Sequence, residues 1–201
     1  MNPRVQAYVD ALPGGIDAYP DVVVKYSIVE TWLEGHDRGA LRDVLPDEVH
    51  PLLEDGVPVT RWVPEVHATC IYLALRELFF PSDDTFVTDA LHRNIRLLEK
   101  PMYKILVRVL TPTRAAKGTA LAFSQMHRGL KLAVDPQPEA WLVTLTHPPA
   151  LVPELLGRCY ATALRAALEV KGYDGVFSRP VSLKPECSTF RVSFTPSADG
   201  P

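Results

Sequence analysis

The chain has 201 residues, 47% of them hydrophobic and 22% charged, with a formal net charge of −3, which fits one globular domain with a sizeable core and is short for two. Its start lacks the basic residues and apolar run of a secretion signal, and no stretch reaches the roughly 18 uncharged apolar residues that span a bilayer. The three scattered cysteines, Cys70, Cys159 and Cys187, argue against a disulfide framework, so the expectation is a cytoplasmic protein with reduced thiols and no membrane span.

In chain order, residues 5–12 read as a short amphipathic helix ending at Pro13, Gly14 and Gly15, and 1–20 as a partly flexible N-terminal segment. Residues 22–34 place Val24, Ile28, Val29, Trp32 and Leu33 at spacings of three and four, the pattern of a core-facing helix. Asp37 and Asp47 read as caps of two short helices, and Pro64 as the start of a longer one over 66–80. That helix is apolar almost all round and belongs at the centre of the fold. Ser82 with Thr85, followed by Asp83 and Asp84, marks the start of a helix to about Leu98. Pro101 and Pro112 then open two further helical segments, through Leu110 and about Phe123.

The period changes after Phe123. Leu130, Leu132 and Val134 alternate with Lys131 and Ala133, and Trp141, Val143 and Leu145 alternate with Leu142, Thr144 and Thr146, so 129–134 and 141–146 read as a hairpin. Asp135-Pro136-Gln137-Pro138 reads as its turn. Residues 151–171 form one long helix stopped by Gly172, and 176–183 and 189–194 are the closing strands. The predicted fold is therefore α+β: a helical N-terminal half, then a four-stranded antiparallel sheet in β-β-α-β-β order, as one domain over 21–195 with a tail at 196–201.

Charge is unevenly distributed. The first 91 residues hold 16 acids and 6 bases, whereas 92–134 hold nine bases and the single acid Glu99. Such a block either is screened by the acidic helices of the same fold or steers an acidic protein partner or an anion. Lys100, Lys104 and Arg108 lie at i, i+4 and i+8 and make one basic stripe, the candidate anion or partner surface. Without a nucleic-acid-binding module or interleaved aromatics, nucleic acid is not expected as a partner.

The long helix carries Gly157, Cys159, Ala161, Ala163, Ala166 and Ala167, so its surface is short enough either for tight packing on the sheet or for a ligand between helix and sheet. The pocket candidates are Phe123, His127, Trp141, Gly157 and Tyr160. His67 and Cys70 share a helix face, but two ligands are not a metal site, and a hydrogen-bonded histidine with an inert cysteine is the plainer reading. Phosphate-loop, dinucleotide-binding and nucleophile-elbow motifs are absent. A complete catalytic set is not evident, and the expectation is a protein that is not an enzyme.

Five stretches together resemble a known group: Phe79-Phe80-Pro81, Met126-His127-Arg128, Pro148-Pro149, 167–172 and 187–194. Over residues 25–194 the chain is similar to the superfamily joining V4R ligand-binding domains, haem-nitric-oxide-binding domains and Bet3-like vesicle-tethering subunits, and within it to a domain family known from myxobacteria. The resemblance implies a homodimeric, non-catalytic sensor or adaptor that binds a small apolar ligand, a protein partner or both. Its alternative is a purely protein-interacting dimeric scaffold that engages a small GTPase. Relatives with zinc hold it through cysteines and a glutamate in the closing strands, which Cys159, Glu186 and Cys187 match in part, with Thr189, Phe190 and Arg191 following where a last cysteine would stand. Relatives with haem use a helical histidine and a Tyr-x-Ser-x-Arg clamp. Here only His92 and the run Phe123, Gln125, His127 correspond, so zinc stands as a partial ligand set and haem is not expected.

Overall fold

The computed structural model describes residues 1–101, 103–104, 115–137 and 140–195. Helix α1 (Pro3–Asp10) begins with proline at a first-turn position, where its missing N–H costs nothing, and the Asn2 side chain accepts from the Arg4 amide at 2.9 Å. Val5 and Tyr8 are buried, and the Tyr8 hydroxyl donates to the Leu151 carbonyl at 3.0 Å, so the segment expected to be partly flexible packs on the body. Strand β1 (Val23–Lys25) leads into α2 (Tyr26–Leu33), a short α3 (Arg38–Arg42) is capped by Asp37, and a 3-10 turn follows at Asp47–Leu52.

Strand β2 (Trp62–Pro64) runs into α4 (Glu65–Phe79), whose residues from Glu65 to Leu75 are buried apart from His67. This is the central helix that its all-round apolar pattern demanded. Helix α5 (Asp83–Glu99) starts with a capping box, in which the Ser82 hydroxyl accepts from the Thr85 amide and Thr85 accepts from the Ser82 amide, both at 3.2 Å. Helix α6 (Ala115–Met126) precedes β3 (His127–Arg128), and β4 (Lys131–Gln137) and β5 (Ala140–Thr146) form the hairpin. Helix α7 (Glu154–Lys171) ends at Gly172 with φ of 95°, a left-handed conformation suited to glycine. Strands β6 (Asp174–Lys184) and β7 (Cys187–Thr195) close the chain.

The four-stranded sheet is antiparallel with order β4-β5-β7-β6, as the β-β-α-β-β reading requires. Trp141, Val143, Leu145, Phe190 and Val192 are buried, while their neighbours Leu142, Thr144 and Arg191 lie toward the opposite face. The expected turn at Asp135-Pro136-Gln137 is instead the end of β4, with Pro136 opposite Trp141 and Gln137 opposite Ala140. An outer strand tolerates a proline because no further strand asks for its N–H.

A second sheet, absent from the sequence reading, joins β2, β1 and β3. Val24 sits opposite Val63 on one side and His127 on the other. Gly129 lets the chain leave β3: at φ of 81°, a Cβ there would lie 2.9 Å from the Val22 Cα. This small sheet ties the start of α2, the start of α4 and the end of α6 together.

The N-terminal helix is also clasped electrostatically. Asp83 accepts from both guanidinium nitrogens of Arg4 at 2.9 Å and from Arg76. The Arg4 hydrogen bonds, opposed by burial and helped by Arg76, push the Asp83 carboxyl down from 3.8 to about 2. A depressed carboxyl contributes stability above its ordinary pKa and loses it as pH falls toward the folded value. Asp83→Asn is therefore expected to lower the melting temperature near neutral pH by the equivalent of about 1 kcal/mol or less, since the pair is part-exposed. Melting curves should converge with wild type below roughly pH 2. A gap of unchanged size at that acidity would contradict the clasp.

Candidate ligand cavity

Short side chains on α7 leave a cavity between helices and sheet. Cys159, Ala163 and Ala167 form its α7 wall, Asn94, Leu97 and Leu98 its α5 wall, and Ala122 and Phe123 its α6 wall. Trp32 of α2, Tyr72 of α4, Leu132 of β4 and Phe190 of β7 complete it. Its volume is about 140 Å³. That matches the roughly 150 Å³ of an engineered apolar cavity that admits benzene, and falls below the roughly 300–1,000 Å³ of drug-sized pockets.

One end of the cavity is polar. Glu65, the first residue of α4, donates its backbone N–H to the Val22 carbonyl at 2.9 Å and is 3% exposed. Its Oε1 accepts from the Tyr160 hydroxyl at 2.9 Å, and its Oε2 lies 3.3 Å from His127 Nδ1. The His127 ring stacks on Phe123 at 4.5 Å with 14° between planes, and Tyr160 leans toward both. Burial, with the charge of Glu65 added, pushes the hydroxyls of Tyr160 and Tyr72 well above their ordinary range. Both therefore remain neutral donors at physiological pH. The hydroxyls of Tyr72 and Thr119 are buried without a hydrogen-bond partner among the described residues. Buried hydroxyls in native proteins are mostly paired, so two orphans lining one cavity are notable.

Of the expected pocket residues, Phe123, His127 and Tyr160 line this space. Trp141 lies outside the lining, edge-on to Phe194 at 5.3 Å. Gly157 serves helix-on-sheet packing instead, since a Cβ there would come within 2.7 Å of Leu183 Cδ2. Glu65 went unrecognised in the sequence, although an acid on a helix apolar on every face has nowhere to point but the interior.

The partial zinc set is not gathered. Cys159 faces the cavity from α7, Glu186 is exposed in the turn before β7, and Cys187 starts that strand. No three His, Cys, Asp or Glu side chains among the described residues are placed to share a metal. Burial also raises the Cys159 thiol far above its ordinary pKa, which opposes the thiolate a metal needs. Cys70 is likewise pushed up, to about 12, and burial lowers the pKa of His67.

The basic block is partly internal. Arg93 is buried and forms an ion pair with Asp89, and it donates to the carbonyls of Thr31, Trp32 and Glu34 at 2.7, 3.2 and 3.1 Å. Lys100 pairs with Glu34 at 3.2 Å, Lys104 is exposed, and Arg108 lies outside the described residues. His92 is exposed on α5 and Gln125 on α6, so neither faces the cavity interior. No helix among the described residues is long and apolar enough to cross a membrane.

No protein-family model matches this sequence, and no curated protein sequence does. Solved structures do match in fold. A Fe(II) unliganded H-NOX protein from K. algicida superposes with a TM-score of 0.59 at 9% identity, covering 87% of this chain and 98% of that one. An oxygen-binding H-NOX domain related to soluble guanylate cyclases gives 0.57 at 7% identity, with 84% and 92% covered. A third, from work on haem redox potential and porphyrin distortion, gives 0.56 at 7%, with 84% and 96% covered. The chain has the α+β fold of these domains.

These neighbours correct one expectation. Haem was not expected because only His92 and the altered run Phe123, Gln125, His127 correspond to the histidine and the clamp, yet domains of this same fold are described with haem. The cavity offers one donor type that can ligate iron, the imidazole of His127, within an apolar surround. Its present volume of about 140 Å³ would have to grow by wall movement to take a macrocycle.

Proposed function

We propose that this chain is a non-catalytic sensor domain that holds a small, mainly apolar ligand in the cavity between α4, α5, α6, α7 and the sheet. The observation that carries the reading is the cavity itself: a part-open apolar space of about 140 Å³ with a few convergent polar groups at one end. The H-NOX neighbours favour the same reading, since one is described as binding oxygen. They lend no support to the tethering-scaffold alternative. Kinship with V4R domains or with the myxobacterial family, and a homodimeric state, belong to the same proposal.

Haem is a second reading, favoured by those neighbours. Bound haem would supply an iron centre for a diatomic gas. In this chain His127, held on β3 by pairing with β1 and oriented by Glu65, would be the residue to reach it. The apolar walls would exclude water.

Native mass spectrometry of the purified chain, followed by titration with hemin and with benzene-sized apolar probes, tests both readings. The expected result is a retained or titratable mass increment, with a rise in melting temperature that grows with ligand concentration. A Soret band that appears with hemin and is lost in His127→Ala would support haem. Probe binding without such a band would leave the compact apolar ligand. A chain that stays bare against every probe and against hemin would overturn the proposal.

A further inference from the structure

Resting on the cavity reading above, we infer that the cavity is selective for a compact hydrophobic amine, held with its ammonium group against Glu65. Glu65 is the one carboxylate among the described lining residues, and neither lysine nor arginine accompanies it. An anionic head would enter a low-dielectric space already holding a negative group, whereas a cationic one meets an opposite charge there. His127 shares the same end of the cavity, with its Nδ1 3.3 Å from Glu65 Oε2.

The acceptor count points the same way. An ionised carboxylate offers about four lone-pair sites, and Glu65 uses one oxygen for Tyr160 and the other for His127. Room remains for an incoming N–H at either oxygen. The unpartnered hydroxyls of Tyr72 and Thr119 add further acceptor sites on the wall. An ammonium group has three donors and no acceptor, the complement of such a set. Trp32, Tyr72, Phe123 and Tyr160 supply aromatic rings around it, and ring faces attract cations most where water is excluded. Volume sets the apolar part at about one benzene ring.

Three probes of nearly equal shape separate charge from size: benzylamine, benzyl alcohol and benzoate, titrated calorimetrically into the full chain near neutral pH. Benzylamine is expected to bind at least about tenfold more tightly than benzyl alcohol, with benzoate weakest. Glu65→Gln should cut benzylamine affinity by roughly tenfold or more and remove most of its advantage over benzyl alcohol on the same variant. Benzyl alcohol binding as tightly as benzylamine would sink this inference while leaving the cavity reading intact. A chain that binds none of the three would sink both. Should Glu65→Gln fail to fold, the ranking of the probes on the unaltered chain still decides, because it needs no variant.

Discussion

Replacing Arg93 with alanine is expected to cost about 3–5 kcal/mol of unfolding free energy, the scale of breaking a buried charged pair by removing one partner. The side chain is 7% exposed and ends helix α2 from outside the helix. Its Nη1 takes the carbonyls of Thr31, Trp32 and Glu34, its Nη2 lies 3.0 Å from His36 Nε2, and Asp89 neutralises it. Removal strands three backbone acceptors at a helix C-terminus, where unpaired carbonyls accumulate, together with the carboxylate of Asp89. Urea unfolding followed by circular dichroism measures the loss. Arg93→Lys should recover only part of it, since a single ammonium cannot reproduce the guanidinium fork. A change below about 1 kcal/mol for Arg93→Ala would mean that water satisfies those carbonyls instead.

Filling the cavity is expected to have the largest effect on binding. Ala122 is 8% exposed and lines the space from α6. Ala122→Leu would place a branched side chain into about 140 Å³, leaving too little room for a benzene-sized guest. Affinity for apolar probes should fall by roughly a hundredfold or more, equivalent to about 2.7 kcal/mol. Stability should hold within about 1 kcal/mol, because cavity filling gains contacts as it crowds neighbours. Calorimetric titration beside thermal melting reads both. Undiminished probe binding in a folded Ala122→Leu chain would place the ligand elsewhere.

Long periodic elements were legible in the sequence and short ones were not. The shift from a 3.6 to a 2 period after Phe123, the Ser82–Thr85 cap and the Gly172 stop each carry a local physical cause, and each marks an element found in the fold. Strands β1, β2 and β3 have three, three and two residues, too few for alternation to register. Val23 and Val24 were accordingly absorbed into the helix that follows them.

The site suffers from the same limit. Phe123, His127 and Tyr160 could be named as aromatic or titratable residues near a plausible pocket. That His127 meets Glu65 across 62 positions depends on β3 pairing with β1, a contact with no local signature. Trp141 was named as an aromatic residue that could face the same space, but its ring packs edge-on with Phe194. Arg93 was counted only as a member of the basic block, because nothing in a helix period reveals which cation will cap a neighbouring helix.

Both margins of the large sheet are built to refuse another strand. On β4 the proline at 136 interrupts the row of N–H groups. On β6, Pro180 does the same, and the register shifts between Asp174 and Phe177 and between Pro180 and Ser182. Phe177 and Val181 stand 55% and 56% exposed beside these irregularities, a combination that on a flat, regular edge would invite aggregation. Interrupted backbone donors and bulges remove the template that such side chains would otherwise exploit. Extension of this sheet by a further strand is therefore disfavoured at both of its margins.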